Sequence, residues 1–95
     1  MKLWIDDVRR SPDDYFWVRN ALGAKTMISM FWKGYLGKEI LIDLGGSAAK
    51  IEDCIEILNW LEKEKIVDDR FSFHIHSKVL INARNIIQRN QWKEV

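Results

Sequence analysis

Two short apolar runs and one alternating stretch in this chain stop abruptly at residues that carry charge or exchange protons. Lys2 to Ile5 halts at Asp6 and Asp7, Glu39 to Ile42 halts at Asp43, and Phe71 to Ile75 halts at His76 and Ser77. Runs of this length suit buried strands rather than helices. Between them the spacing of apolar residues changes to a helical one. Met27, Met30 and Phe31, extended by Ile28, Trp32 and Tyr35, predict a helix from Ala21 that Gly34 and Gly37 bring to a stop. Ile51, Cys54, Ile55, Leu58 and Leu61 predict one face of a second helix, after a turn at Leu44-Gly45-Gly46-Ser47 in which Ser47 serves as cap. Ala83, Ile86 and Ile87 line a third, with Ser77 as its cap.

Tyr15 to Val18 adds a second strand, aromatic and β-branched, and Trp92 is expected to pack the tail back onto the domain. Four strands alternating with helices predict a mostly parallel four-stranded sheet in a small three-layer α/β sandwich. With 95 residues the chain has room for a single domain, residues 1–95. Its only cysteine, Cys54, falls in the helical apolar pattern and reads as a small buried hydrophobe. No apolar run is long enough to span a bilayer, and Asp6-Asp7 follow too soon for a secretory leader, so the expected location is cytoplasmic. Fifteen Lys and Arg against fourteen Asp and Glu argue against a broad basic surface for duplex nucleic acid, while leaving room for a local patch.

In open parallel sheets ligands sit beyond the carboxyl ends of the strands. If strands 1, 3 and 4 are neighbours, Asp6, Asp7, Asp43, His76 and Ser77 converge on one rim. Clustered carboxylates repel unless a cation or proton intervenes, and Mg²⁺ is a hard ion that accepts such oxygens together with phosphates. Asp6, Asp7 and Asp43 are therefore candidate metal ligands; the competing reading is that Asp6 and Asp7 only end the strand and cap loop amides. His76 is a candidate acid/base, and Ser77 a phosphate ligand, a helix cap, or both. Arg9 and Arg10 are within reach of a phosphate, or simply solvated. Gly45-Gly46-Ser47 reads as a tight turn before a phosphate-gripping loop. His74 reads as a hydrogen-bonded histidine under a helix, and a zinc site built on His74 and His76 would have to recruit carboxylates.

These residues resemble the cyclic-phosphate processing receiver-like family. Leu3-Trp4-Ile5-Asp6-Asp7-Val8-Arg9 is similar to its opening Leu-Trp-Leu-Asp-Asp-x-Arg, with Pro12 set three residues after Arg9 rather than next to it. Ile40 to Gly45 resembles a segment Ser-Leu-Asp-His-Asp-Leu-Gly, Ile57 to Glu62 resembles the family helix, and Phe73-His74-Ile75-His76-Ser77 its His-x-His-Ser strand end. Asn85 matches an Asn of the last helix. The chain departs from the pattern by keeping only Asp43 of Asp-His-Asp. It also replaces Asn-Pro-x-Gly-Arg with Val79-Leu80-Ile81-Asn82-Ala83, leaving Arg84 as the nearby cation.

The resemblance implies a receiver/flavodoxin-like fold and phosphate contacts from Arg9, Ser77, Arg84 and Asn85. It implies Mg²⁺- or Mn²⁺-dependent processing of cyclic or terminal phosphates on nucleotides or RNA ends, with Asp6, Asp43 and His76 catalytic, in a prokaryotic or phage conflict or RNA-repair setting. The alternative is a catalytically decayed module that binds a nucleotide, a protein partner or a second copy, for which the apolar stretch Val79-Leu80-Ile81 is the motive. Phosphoryl signalling through Asp43 is disfavoured, since no fifth strand with a following Lys is evident.

Overall fold

The computed structural model describes residues 1–34, 38–45, 51–76 and 80–95. Its elements are β1 (Lys2–Ile5), β2 (Phe16–Val18), α1 (Ala21–Phe31), β3 (Ile40–Leu44), α2 (Ile51–Glu64), β4 (Phe71–Ile75), α3 (Ile81–Arg89) and β5 (Lys93–Glu94). All pairings are parallel, in the order β2-β1-β3-β4-β5. The expected α/β fold of receiver type is present, with a fifth strand that the sequence reading did not include. Only two exposed residues make up β5, too few to leave a period-2 signature. Trp92 anchors it, stacking on Phe73 with ring centroids 5.2 Å apart.

Alternation along the strands separates two faces. Leu3 and Ile5 of β1, Ile40, Ile42 and Leu44 of β3, and Phe71, Phe73 and Ile75 of β4 are buried in one core with residues of the helices. Trp4, Leu41, Asp43, Ser72 and His74 occupy the intervening positions and belong to the other face. Where the helices lie follows from handedness. Each of α1, α2 and α3 carries the chain from one strand to a strand nearer the β5 edge, so right-handed crossovers put all three on the same face. The helices of the described residues accordingly form one layer on the sheet, where the sequence reading expected three layers. The β1–β2 connection runs the opposite way, which sends residues 6–15 over the other face without a helix.

Two helix faces differ from the periodicity reading. In α1 the buried row is Ala21, Ala24 and Ile28, whereas Met30 is 66% exposed. Small residues let this helix lie close to the sheet, and its bulky Phe31 instead stacks on Phe16 at the sheet edge, centroids 6.3 Å apart. In α2, Ile57 joins Cys54, Leu58 and Leu61 in the core, and Ile55 is only half-buried. Asn20 caps α1, its Oδ1 accepting from the Gly23 amide at 2.8 Å. The expected caps Ser47 and Ser77, and the helix-stopping Gly37, lie outside the described residues. Among the described residues no helix is long and apolar enough to cross a membrane.

Burial holds the Cys54 thiol up to about 12, so it is an inert core group, as its place in the helix predicts. A tighter constraint sits at the end of β3. A Cβ on Gly45 would fall 2.8 Å from the Ile5 carbonyl oxygen and 2.8 Å from Asp6 Oδ2. The first of these is backbone within the β1–β3 ladder and has little room to retreat. Gly45→Ala is expected to destabilise the protein by about 1–3 kcal/mol through overpacking. A urea titration reads this as a lower midpoint with an unchanged slope.

Candidate functional site

The face without helices carries the cluster that matters. In-register pairing sets Trp4 beside Asp43 and Asp43 beside His74, on three adjacent parallel strands. His76 follows β4 and turns back over this row, its Nε2 2.6 Å from Asp43 Oδ1. The two imidazoles meet edge to face, centroids 4.3 Å apart, and Trp4 packs 5.3 Å from His76. One ligand atom each from Asp43, His74 and His76 falls within 4.8 Å of the other two. Pro12, Tyr15, Leu41 and Val95 complete a cleft of about 460 Å³ around them. The loop over residues 6–15 thus forms one wall, and Trp4 ties to it by donating from Nε1 to the Arg9 carbonyl at 3.0 Å.

Asp43 is the unusual member. It is only 3% exposed, and its Oδ1 contacts the His76 ring at ion-pair distance without the alignment of a hydrogen bond. Burial pushes its carboxyl pKa up from the ordinary value, and the neighbouring His76 and His74 offset only part of that rise. An incompletely paired buried carboxylate beside two imidazoles is what a cation would complete. His74 is held from behind: its Nδ1 lies 2.7 Å from the Val95 main-chain oxygen. A carbonyl-type oxygen only accepts, so Nδ1 carries the proton and Nε2 keeps its lone pair while the ring is neutral. That is the orientation seen in metal-binding histidines.

The other residues singled out from sequence are placed elsewhere. Asp6 is fully buried, but its Oδ1 accepts from the Val8 and Arg9 amides at 2.8 and 2.9 Å, the loop-capping arrangement. Its main-chain oxygen accepts from Trp17 Nε1 at 2.7 Å, and its Oδ2 has no hydrogen-bond partner among the described residues. Asp7 is half-buried in the same loop, and neither acid belongs to the Asp43 group. Arg9 and Arg10 are exposed on the loop. Arg84 is engaged with Glu94, 3.1 Å away, and Asn85 is exposed on α3. Ser77, Gly46 and Val79 lie outside the described residues; of the other two in the apolar stretch, Leu80 is buried and Ile81 is exposed.

Sequence reasoning singled out Asp43 and His76, and it weighed His74 as a hydrogen-bonded histidine ahead of a metal ligand that would recruit carboxylates. His74 is hydrogen-bonded, to Val95, and it also stands beside Asp43; Trp4 and Tyr15 were read only as parts of strands. The missing signal was register. Trp4, Asp43 and His74 align only once the strand order is known, although their alternation with buried neighbours was visible.

A family model described as the cyclic-phosphate processing receiver domain matches residues 1–91 of the chain. No curated protein and no solved structure gives a match.

The raised pKa of Asp43 fixes the sign of a pH effect. Between the ordinary carboxyl value and the raised one, the folded state binds more protons than the unfolded state, so stability falls as pH rises through that window. Asp43→Asn removes the buried charge. In chelator-treated protein the variant is expected to melt above the parent at pH 7, with the gap closing towards pH 3. A variant that melts lower at pH 7 would show that the imidazoles fully compensate the carboxylate.

Proposed function

The chain belongs to the family of cyclic-phosphate processing receiver domains, and we propose that it opens a cyclic phosphodiester on a nucleotide or RNA end in the Asp43–His74–His76 cleft. The observation that carries this reading is the convergence of one buried carboxylate and two imidazoles within 4.8 Å, on an open face. One oxygen and two nitrogen donors fit a divalent ion of Mn²⁺ or Zn²⁺ character better than Mg²⁺, which prefers oxygen throughout. Of the two ions expected from sequence, Mn²⁺ suits the donors.

When bound there, such an ion would polarise a phosphoryl oxygen and acidify a water. Asp43, His74 and His76 would hold it, and the Val95 oxygen would fix the His74 tautomer. This assigns His76 to the cation rather than to proton transfer. The hydrolysis needs water oxygen to bond to phosphorus while one ring P–O bond breaks and the released ribose oxygen takes a proton. Trp4 and Tyr15, edge to face at 5.9 Å, offer an apolar wall on which a nucleoside can rest. Arg9 and Arg10 are the exposed cations of the adjoining loop. Asp6 is a positioning residue, because it caps the loop that supports Trp4.

Melting curves and turnover test the reading together. Mn²⁺ or Zn²⁺ at a hundred times its dissociation constant is expected to stabilise the protein by about 2.7 kcal/mol, with a much smaller effect from Mg²⁺. His74→Ala and His76→Ala should each abolish that stabilisation. With 2′,3′-cyclic mononucleotides, Asp43→Asn and His74→Ala should lower turnover by at least a hundredfold. Undiminished turnover in chelator would remove the metal from the scheme, and absence of turnover with every divalent ion would remove the hydrolysis.

A further inference from the structure

The two edges of the sheet are built differently. At one, β5 is Lys93-Glu94, both exposed, and charged side chains of this kind discourage a further strand from pairing. At the other, β2 is Phe16-Trp17-Val18, with no charge and no proline within the strand. The Val18 main-chain oxygen accepts the Asp6 amide at 3.1 Å, so the backbone groups of Val18 face β1. By alternation those of Phe16 do too, and the amide and carbonyl of Trp17 point outward. No strand among the described residues pairs with that side.

The helix beside this edge continues the apolar surface. Gly23, Met27, Met30 and Phe31 follow an i, i+4, i+7, i+8 spacing and share one flank of α1. Both ends of that flank sit against β2. A Cβ on Gly23 would stand 3.5 Å from the Val18 Cβ, and Phe31 stacks on Phe16. Met30 is 66% exposed and Phe16 45%, so bulky apolar groups border an open edge that carries no protecting charge. Charge enters only at the two ends of the strand. Asp13, in the turn that opens it, stands three residues before Phe16, and Arg19 stands three residues after. Both are exposed and neither has an ion pair among the described residues: Asp14 is the acid that Lys2 engages, and Arg19 lies over the Trp17 ring, 4.4 Å from its centre.

That order of charges is self-complementary. Two copies of β2 laid antiparallel about a two-fold axis through Phe16 bring Asp13 of each to the strand end where Arg19 of the other stands. Phe16 and its copy then form a non-hydrogen-bonded pair, the closer kind in an antiparallel ladder, while the outward groups of Trp17 face the other strand. The axis runs perpendicular to the sheet, so the α1 flanks with Met27 and Met30 face each other across it. An unrelated strand has no reason to carry acid and base in this reversed order, whereas a second copy carries it by symmetry. We propose that the protein forms a two-fold dimer through β2, joining two sheets into one, with both Asp43 clefts opening on the same side. The dimer needs none of the chemistry proposed for those clefts.

Sedimentation equilibrium on the full chain tests this. The expected result is reversible association to twice the chain mass, with a dissociation constant in the micromolar range. Phe16→Lys sets like charges directly opposite each other and should abolish association. Asp13→Arg and Arg19→Asp leave the apolar surface intact, and each alone should weaken the dimer about tenfold by placing like charges together at both strand ends. An equal mixture of these two variants should recover the parental affinity, because each arginine then meets an aspartate of the other copy. The dimer is overturned if the parent stays monomeric up to about 1 mM, the weak end of specific association. It is equally overturned if Phe16→Lys associates as tightly as the parent. Antiparallel pairing about Phe16 is overturned if the two charge variants associate like the parent, or if they are weakened and mixing fails to restore them.

Discussion

The direction of three crossovers governs what this small chain exposes. Because α1, α2 and α3 all move the chain towards the β5 edge, right-handed connection leaves them on one side of the sheet. A sheet with helices on both faces buries both and confines its polar chemistry to the strand ends. Here the second face carries no helix among the described residues, and a strand can place a functional side chain in mid-length. Asp43 lies inside β3 rather than beyond it, with His74 beside it inside β4. The only connection that runs the other way, residues 6–15, supplies the wall of the cleft.

That arrangement carries a stability cost, and the cost is local. Leu3, Ile5, Ile42 and Phe73 are fully buried on the helix side and give the sheet its hold. On the far side the same strands support the buried Asp43 carboxylate, whose Oδ1 has no well-aligned donor among the described residues and whose burial disfavours its charged form. The supports around it are rigid. Trp4 is fixed to the Arg9 carbonyl, Asp6 caps the loop, and Gly45 lets β3 pass against Asp6 with no side chain between them. A cleft built on ladder positions keeps its geometry better than one built on a free loop.

How much of this was legible depends on where each signal lives. β1 and β3 could be read because a buried parallel strand is a continuous apolar run with a sharp polar end, and β4 because its apolar residues alternate. Cys54, Leu58 and Leu61 could be read because α2 keeps one apolar arc. The inner face of α1 could not: Ala21 and Ala24 pack against the sheet because they are small, while Met30 looks apolar and points to solvent. β5 is too short and too exposed to have a pattern. Adjacent acids at a strand end suggested ligands at Asp6 and Asp7. Yet an exiting strand leaves amides unpaired, and Asp6 satisfies two of them. Arg84 looked free until β5 brought Glu94 to it.

The departure from the family pattern takes on a physical meaning at Leu41. The resemblance aligns this residue with the first Asp of Asp-His-Asp, and the structure puts it on the face of Asp43, lining the same cleft. A carboxylate there would give the cleft a second oxygen donor and more of a magnesium-like character. Leucine leaves Asp43 alone with His74 and His76, which shifts the donor set from oxygen towards nitrogen. In the proposed reading, the same departure makes the cleft less suited to a hard ion such as Mg²⁺.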